Sequence, residues 1–231
     1  MLTVCPLPQL FSYWHTASRG GAMKVLGFLG SPRLSGICAQ LLDSALEGAA
    51  SKGAEVKRYN LIKLNIQHCM GCCACMFDDP AQPIGRCPLK DDVPNILQEY
   101  IAADGYILAS PVYDGSVTAL MKKFLERKIA LTHRPREAYA KIGEARSPAD
   151  FKKRVAMIVT GNCSDEYREL MGDPCFELME GHFMIEQVMT TDKMYVGGVE
   201  NMTDAVRQEK RAAARALGIR LVEEIIAAQQ G

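Results

Sequence analysis

Short apolar runs alternating with stretches of helical periodicity constrain the fold of this chain more than any other feature. Lys24-Val25-Leu26-Gly27-Phe28-Leu29-Gly30 is a continuous apolar run ending in glycine, the pattern of a strand buried on both faces. Ile37, Leu41, Leu42, Ala45, Leu46 and Ala49 then recur at helical spacing, with Gly53 where a C-terminal cap falls. Glu55 to Tyr59 reads as a second strand. Asp91-Asp92-Val93-Pro94 places acid and proline at the start of a helix that reaches Ala102. Gly105 to Ala109 reads as a third strand, Ala119 to Ile129 as part of a helix, Val155 to Thr160 as a fourth strand and Glu166 to Glu180 as a helix. Met184 to Thr190 reads as the fifth strand, a half-exposed edge because of Glu186 and Gln187. A last helix begins at Thr203 and Asp204 with Ala213, Leu217, Leu221 and Ile225 as its apolar stripe.

Five strands alternating with helices imply a parallel sheet covered on both faces, hence a doubly wound α/β domain. Ligands in such sheets bind beyond the carboxyl ends of the strands, here loops 31–36, 61–92, 111–117 and 160–165. Residues 130–150 are polar, basic and broken by proline, and they read as a surface excursion rather than a core element. No internal repeat or low-complexity tract is present.

At 231 residues and 48% hydrophobic content, one core suffices, so residues 23–231 are expected to form a single domain. Residues 1–22 read as a disordered or loosely docked tail, with Met23 the expected start of translation. That tail lacks a basic segment followed by a sustained apolar one, and no apolar run approaches a membrane span, so a cytoplasmic protein is expected. Lys plus Arg balance Asp plus Glu at 27 each, which gives no net field toward nucleic acid or anionic membrane and favours a small-molecule or protein redox partner.

Cys69-x2-Cys72-x2-Cys75, with Cys73 inside the run and Cys87 after it, is too dense for ordinary core composition. Gly71 relaxes the backbone, and the spacing suits thiolates turned toward one iron-sulfur cluster. Zinc accepts Cys-x2-Cys too, but usually as two separated pairs, and reduced or redox-active thiols without metal form the third reading. Nine cysteines, an odd number, make a disulfide framework the weakest reading. His68 abuts the run and is either a ligand or a solvent-exposed loop residue.

At the first strand exit, Gly30-Ser31-Pro32-Arg33-Leu34-Ser35-Gly36 places hydroxyls, glycines and an arginine at a helix N-terminus. That is a phosphate cradle if it is more than a plain turn, and it is neither the dinucleotide glycine fingerprint nor a P-loop. Ser110 to Val117 sets an aromatic beside glycine and small polar residues, able to lie along a flat ring. Thr160-Gly161-Asn162-Cys163 leaves the fourth strand in the same manner. The architecture brings these exits together.

In their order along the chain, Gly30-Ser31-Pro32-Arg33 with Gly36, the cysteine run closing on Asp91-Asp92, and Ser110-Pro111-Val112-Tyr113 followed by Met121-Lys122-x-Phe124 and Arg127 resemble the flavodoxin-like NADPH-dependent FMN reductases. The iron-sulfur flavoprotein branch is the more similar one. The resemblance covers about residues 24–229. It implies sheet order 2-1-3-4-5, FMN, a [4Fe-4S] cluster, NAD(P)H or a ferredoxin-type donor, and a homodimer or homotetramer in which one subunit's cluster faces another's flavin. It implies that Ser31, Arg33, Ser35 and Gly36 hold the phosphate, with Ile37 and Cys38 where the family commonly has asparagine and threonine. Pro111, Val112, Tyr113, Asp114, Gly115 and Ser116 would hold the isoalloxazine ring, with Asp114 where the family often has an aromatic, and Thr160 and Gly161 would flank it. Cys69, Cys72, Cys75 and Cys87 are the favoured ligands, since Cys73 adjoins Cys72 too closely to share a cluster with it. In the branch the fourth cysteine usually follows the third closely, whereas eleven residues separate Cys75 from Cys87 here. The cluster-free alternative is an NAD(P)H-dependent FMN or quinone reductase, and a non-enzymatic zinc or redox-sensing module is a third.

Overall fold

The computed structural model describes residues 22–147 and 153–230, so the expected N-terminal tail and the end of the 130–150 excursion lie outside the described residues. Five parallel strands, β1 Lys24–Leu29, β2 Glu55–Asn60, β3 Gly105–Tyr113, β4 Arg154–Thr160 and β5 Met189–Val196, pair in the order β2-β1-β3-β4-β5. Val25 pairs with Gly105 and Gly105 with Arg154, which brings the carboxyl ends of the three central strands to one side.

Alternation along these strands splits the core into two layers. Val25, Leu29, Ile107 and Ile158 face α1 (Ile37–Ala50), while Leu26, Phe28, Tyr106, Leu108 and Met157 face α2 (Val93–Ala102), α3 (Ala119–Arg127) and α4 (Asp173–Gly181). The final helix, α5 (Asp204–Gln230), packs beside α1 in the first layer. A Cβ at Gly48 would stand 2.1 Å from Arg215 O and one at Gly218 1.8 Å from Ala45 O, so glycine is what lets these two backbones touch. That close approach compensates the roughly 1 kcal/mol that an interior helical glycine costs. The stripe of α5 runs through Ala214, Leu217, Leu221 and Ile225, and Ala213 is exposed, one residue off the expected position.

Three elements differ from expectation. The fifth strand lies at Met189–Val196, not 184–190: Phe183 is buried, Gln187 adopts φ +57°, and this stretch turns the chain out of α4. It is nonetheless the sheet edge. The helix expected over 166–180 is a 3-10 turn, a single turn at Arg168–Met171 and then α4, interrupted at Gly172, where a Cβ would stand 2.7 Å from Tyr195 Cδ2.

The 130–150 segment is not only a surface excursion. Ala130, Leu131, Thr132 and Arg146 are buried, and Thr132–His133 pairs antiparallel with Glu144–Ala145 against the cysteine loop. Arg146 is engaged by carbonyls of the cysteine loop, which polarity alone does not reveal.

Candidate functional site

One cavity opens at the carboxyl side of the sheet and another lies at the cysteine loop. The larger, about 590 Å³, opens at the exits of β1, β3 and β4, and its volume falls within the range of sites for drug-sized ligands. Thr118 ties two of its walls together. Its Oγ1 donates to Gly30 O at 2.6 Å and accepts from Met121 N as the N-cap of α3, while Thr118 N donates to Ser110 Oγ at 3.1 Å. The exits of β1 and β3 are thereby fixed relative to each other.

Ser31, Arg33, Gly36, Ile37 and Cys38 form one end of this cavity. Ser31 Oγ accepts from Arg33 N at 3.1 Å and fixes the turn, and Gly36 caps α1 in an extended conformation without any side-chain acceptor. The first-turn N–H groups of α1 are thus left for a ligand, at the positive end of a fourteen-residue helix. Arg33 is exposed and has no carboxylate partner among the described residues. Burial pushes the Cys38 thiol up to about 12, against the pull of its hydrogen bond with Thr160, so no second anion sits beneath the cradle. An anionic phosphate fits this end.

At the other end, β3 runs on into a hairpin: Val112 pairs with Val117 and Tyr113 with Ser116, around Asp114 (φ +49°) and Gly115 (φ +72°). Asp-Gly suits a two-residue turn that needs positive φ at both positions. Pro111, Val112, Tyr113, Asp114 and Gly115 line the cavity, as do Thr160, which pairs with Pro111, and Gly161. A Cβ at Gly161 would stand 2.7 Å from Tyr195 Oη, which itself donates to Cys163 O. A flat ring between a tyrosine-bearing hairpin and a side-chain-free glycine matches this shape. Ser35 and Ser116 are not among the lining residues.

Asn162 and Cys163, within the expected 160–165 exit, also line the cavity, and so do Met171, Val199 and Glu200, which lie outside the expected loops. Val199 and Glu200 follow Gly197-Gly198 at the exit of β5. Placing the fifth strand at 184–190 hid this exit, and the Gly-Gly pair was the available signal.

The smaller cavity, about 60 Å³, is walled by Cys69, Cys72, Cys75 and Cys87 together with Cys73. It shares no lining residue with the larger one. The Cys75 thiol is buried and is pushed up to about 11, first by burial and then by Cys87, Cys69 and Cys72. All are free thiols. Among the described residues, no three His, Cys, Asp or Glu side chains are grouped to hold a single metal ion. Met70, Gly71, Met76, Leu89, Arg127, Ile129 and Ala130 complete the cavity wall, and His68 lies outside it, exposed.

Three guanidinium groups brace this loop, which has almost no regular structure. Arg146 donates to the carbonyls of Cys75, Asp79 and Gln82 at 2.9, 2.7 and 3.0 Å. Arg127, buried, pairs with Asp91 and reaches Cys87 Sγ at 3.5 Å. Arg134 Nη2 stands 3.7 Å from Cys73 Sγ, and its buried Nε has no partner among the described residues. Thiols set among cations suit a group that carries negative charge, and a thiolate-bound cluster is such a group.

A family model described as NADPH-dependent FMN reductase matches residues 23–167. An iron-sulfur flavoprotein of Archaeoglobus fulgidus is 34% identical over 142 residues, 58% of this chain and 62% of that one. One of Methanocaldococcus jannaschii is 40% identical over 105 residues, 46% and 51% of the two chains. The chain thus spans about half to three-fifths of the length of these relatives. Among solved structures, the NAD(P)H:quinone oxidoreductase from Methanothermobacter marburgensis superposes with TM-score 0.65 at 17% identity over 87% of this chain and all of that one. A flavone reductase superposes with TM-score 0.61 at 21% identity over 90% and 64%. These two likenesses show the fold. No helix among the described residues is long and apolar enough to cross a membrane.

Proposed function

Because the chain belongs to the family of NADPH-dependent FMN reductases, we propose that it is an FMN-dependent oxidoreductase in which a cysteine-bound [4Fe-4S] cluster passes electrons to or from the flavin. The observation that carries this reading is the convergence of Cys69, Cys72, Cys75 and Cys87 on one cavity beside cationic side chains, separate from the cavity at the strand exits. The names of the similar iron-sulfur flavoproteins agree with it.

Bound FMN supplies the exchange between two-electron and one-electron transfer. The chain's own residues hold and orient it. The N–H groups of Ile37 and Cys38, with Ser31, Arg33 and Gly36, bind the phosphate. Pro111 to Gly115 lie along one side of the ring, and Thr160 and Gly161 leave the other side open. No side-chain acid or base is needed in this scheme, so no catalytic residue is named. NAD(P)H is the proposed donor, and a small molecule or a redox protein the acceptor.

Cys-x2-Cys-x2-Cys with one later cysteine suits a cluster, whereas zinc usually takes two separated Cys-x2-Cys pairs. The separation of the two cavities within one chain also supports a homodimer or homotetramer in which the cluster of one subunit meets the flavin of another.

Anaerobic purification with iron, acid-labile sulfide, zinc and FMN measured per chain tests the reading. About four irons and one FMN are expected. FMN without iron would establish the cluster-free reductase instead.

A further inference from the structure

Arg127 is the last residue of α3, yet its side chain leaves the helix and spans the cysteine loop from beginning to end. Its Nη1 donates to Gln67 O at 2.9 Å, two residues before Cys69, and both terminal nitrogens donate to the Asp91 carboxylate at the loop's far end. Nη2 also stands 3.5 Å from Cys87 Sγ. Asp91 completes the clasp by accepting from Gln67 N at 2.9 Å and from Val93 N at 3.2 Å. The side chains of Arg127 and Asp91 are 2% and 0% exposed, so this is a dry, fixed fork. A planar guanidinium with its fork of donors serves a carbonyl, a carboxylate and a sulfur together here.

We propose that Arg127 is the positioning residue that completes the cluster's ligand set, holding Cys87 opposite the Cys69–Cys75 turn and placing a permanent positive charge at its sulfur. The inference rests on the cluster reading above. Eleven residues separate Cys87 from Cys75, so chain connectivity alone leaves the fourth ligand free to wander, and the clasp supplies what proximity does not. The charge has a second effect. Reduction adds one electron to the cluster, and a guanidinium donating to a ligand sulfur stabilises that added charge and raises the reduction potential. No proton accompanies the electron, because the guanidinium does not titrate in the working range.

The test compares the anaerobically purified full-length protein with Arg127→Lys and with the double variant Arg127→Gln/Asp91→Asn, which removes both charges and leaves neither buried alone. Iron release to a chelator, the cluster potential from an EPR-monitored titration, and FMN content are measured. Iron release is expected to be about tenfold faster in both variants, the loss typical of an outer-shell partner. The potential is expected to become more negative in the double variant, to remain near wild type in Arg127→Lys, and FMN content to stay unchanged. Wild-type release rates and potentials in both variants would overturn the proposal while leaving the cluster reading intact, whereas a wild-type protein without iron would overturn both. If the double variant fails to fold, iron release from Arg127→Lys decides by itself: an unchanged rate overturns the proposal.

Discussion

The cavity at the strand exits is walled by residues that the strands and the turns leaving them place, whereas the cysteine cavity is walled by side chains that an irregular loop must be held to present. In the first, Gly36, Gly115 and Gly161 line the wall, and Thr118 ties two exits together with three hydrogen bonds. In the second, carbonyls that no helix or strand satisfies are taken up by Arg146, and both ends of the loop are clasped by Arg127 and Asp91. Topology builds one site and charged side chains build the other. Damage should therefore spread differently: a change in the first alters ligand fit locally, and one in the second loosens the whole loop.

The strongest break in this comparison is Cys72→Ala with Cys75→Ala. Iron should be lost entirely while FMN stays near one per chain, and iron retained at the wild-type level would remove the four-cysteine reading. Next is Arg146→Met, which orphans the carbonyls of Cys75, Asp79 and Gln82 at once. At roughly 1 kcal/mol for each lost bond, on the order of 3 kcal/mol of local stability should go. Hydrogen exchange should then quicken over residues 75–87 and not in β1 or β3.

Gly161→Val is the converse on the flavin side. Its Cβ would stand 2.7 Å from Tyr195 Oη, and FMN binding should weaken at least about tenfold, or about 1.4 kcal/mol by equilibrium dialysis, with iron content unchanged.

A smaller effect comes from pH. His182 lies beside Cys69 and Gly71 in a neighbouring groove, and burial, then Lys122 and Lys128, lower its imidazole from 6.5 to about 4. Between those values the unfolded chain binds the extra proton and the folded chain does not, so stability is lost as pH falls from about 6.5 to about 4. Urea unfolding across that window should show a shallower loss in His182→Asn than in wild type. The smallest expected effect is Ser116→Ala. Its residue lies in the hairpin but not on the cavity wall, so FMN affinity should stay within about twofold of wild type, and a larger loss would mean that the ring loop extends further than the cavity.

Much of this was legible in the residues. Apolar runs such as Lys24 to Leu29 and Val155 to Thr160 gave three central strands and their exits, because a strand buried on both faces leaves an unbroken hydrophobic signature. The edge strand was misplaced because β5 is only partly covered, and Met184 and Phe183 mimic its pattern in the turn before it. The role of residues 130–147 was hidden for another reason. Arginines that satisfy buried carbonyls have the same composition as arginines that face water.

By itself, then, the sequence determined the doubly wound sheet, the loops that gather at its carboxyl ends and the cysteine types available to a cluster, since period, turn residues and ligand chemistry are local properties. Only the tertiary structure decided that Arg127 and Asp91 clasp the ends of the cysteine loop, that the basic segment after α3 folds against that loop, and that Val199 and Glu200 reach the larger cavity. Each of these depends on which distant groups satisfy one another's hydrogen bonds and charges, and no spacing along the chain encodes such a pairing.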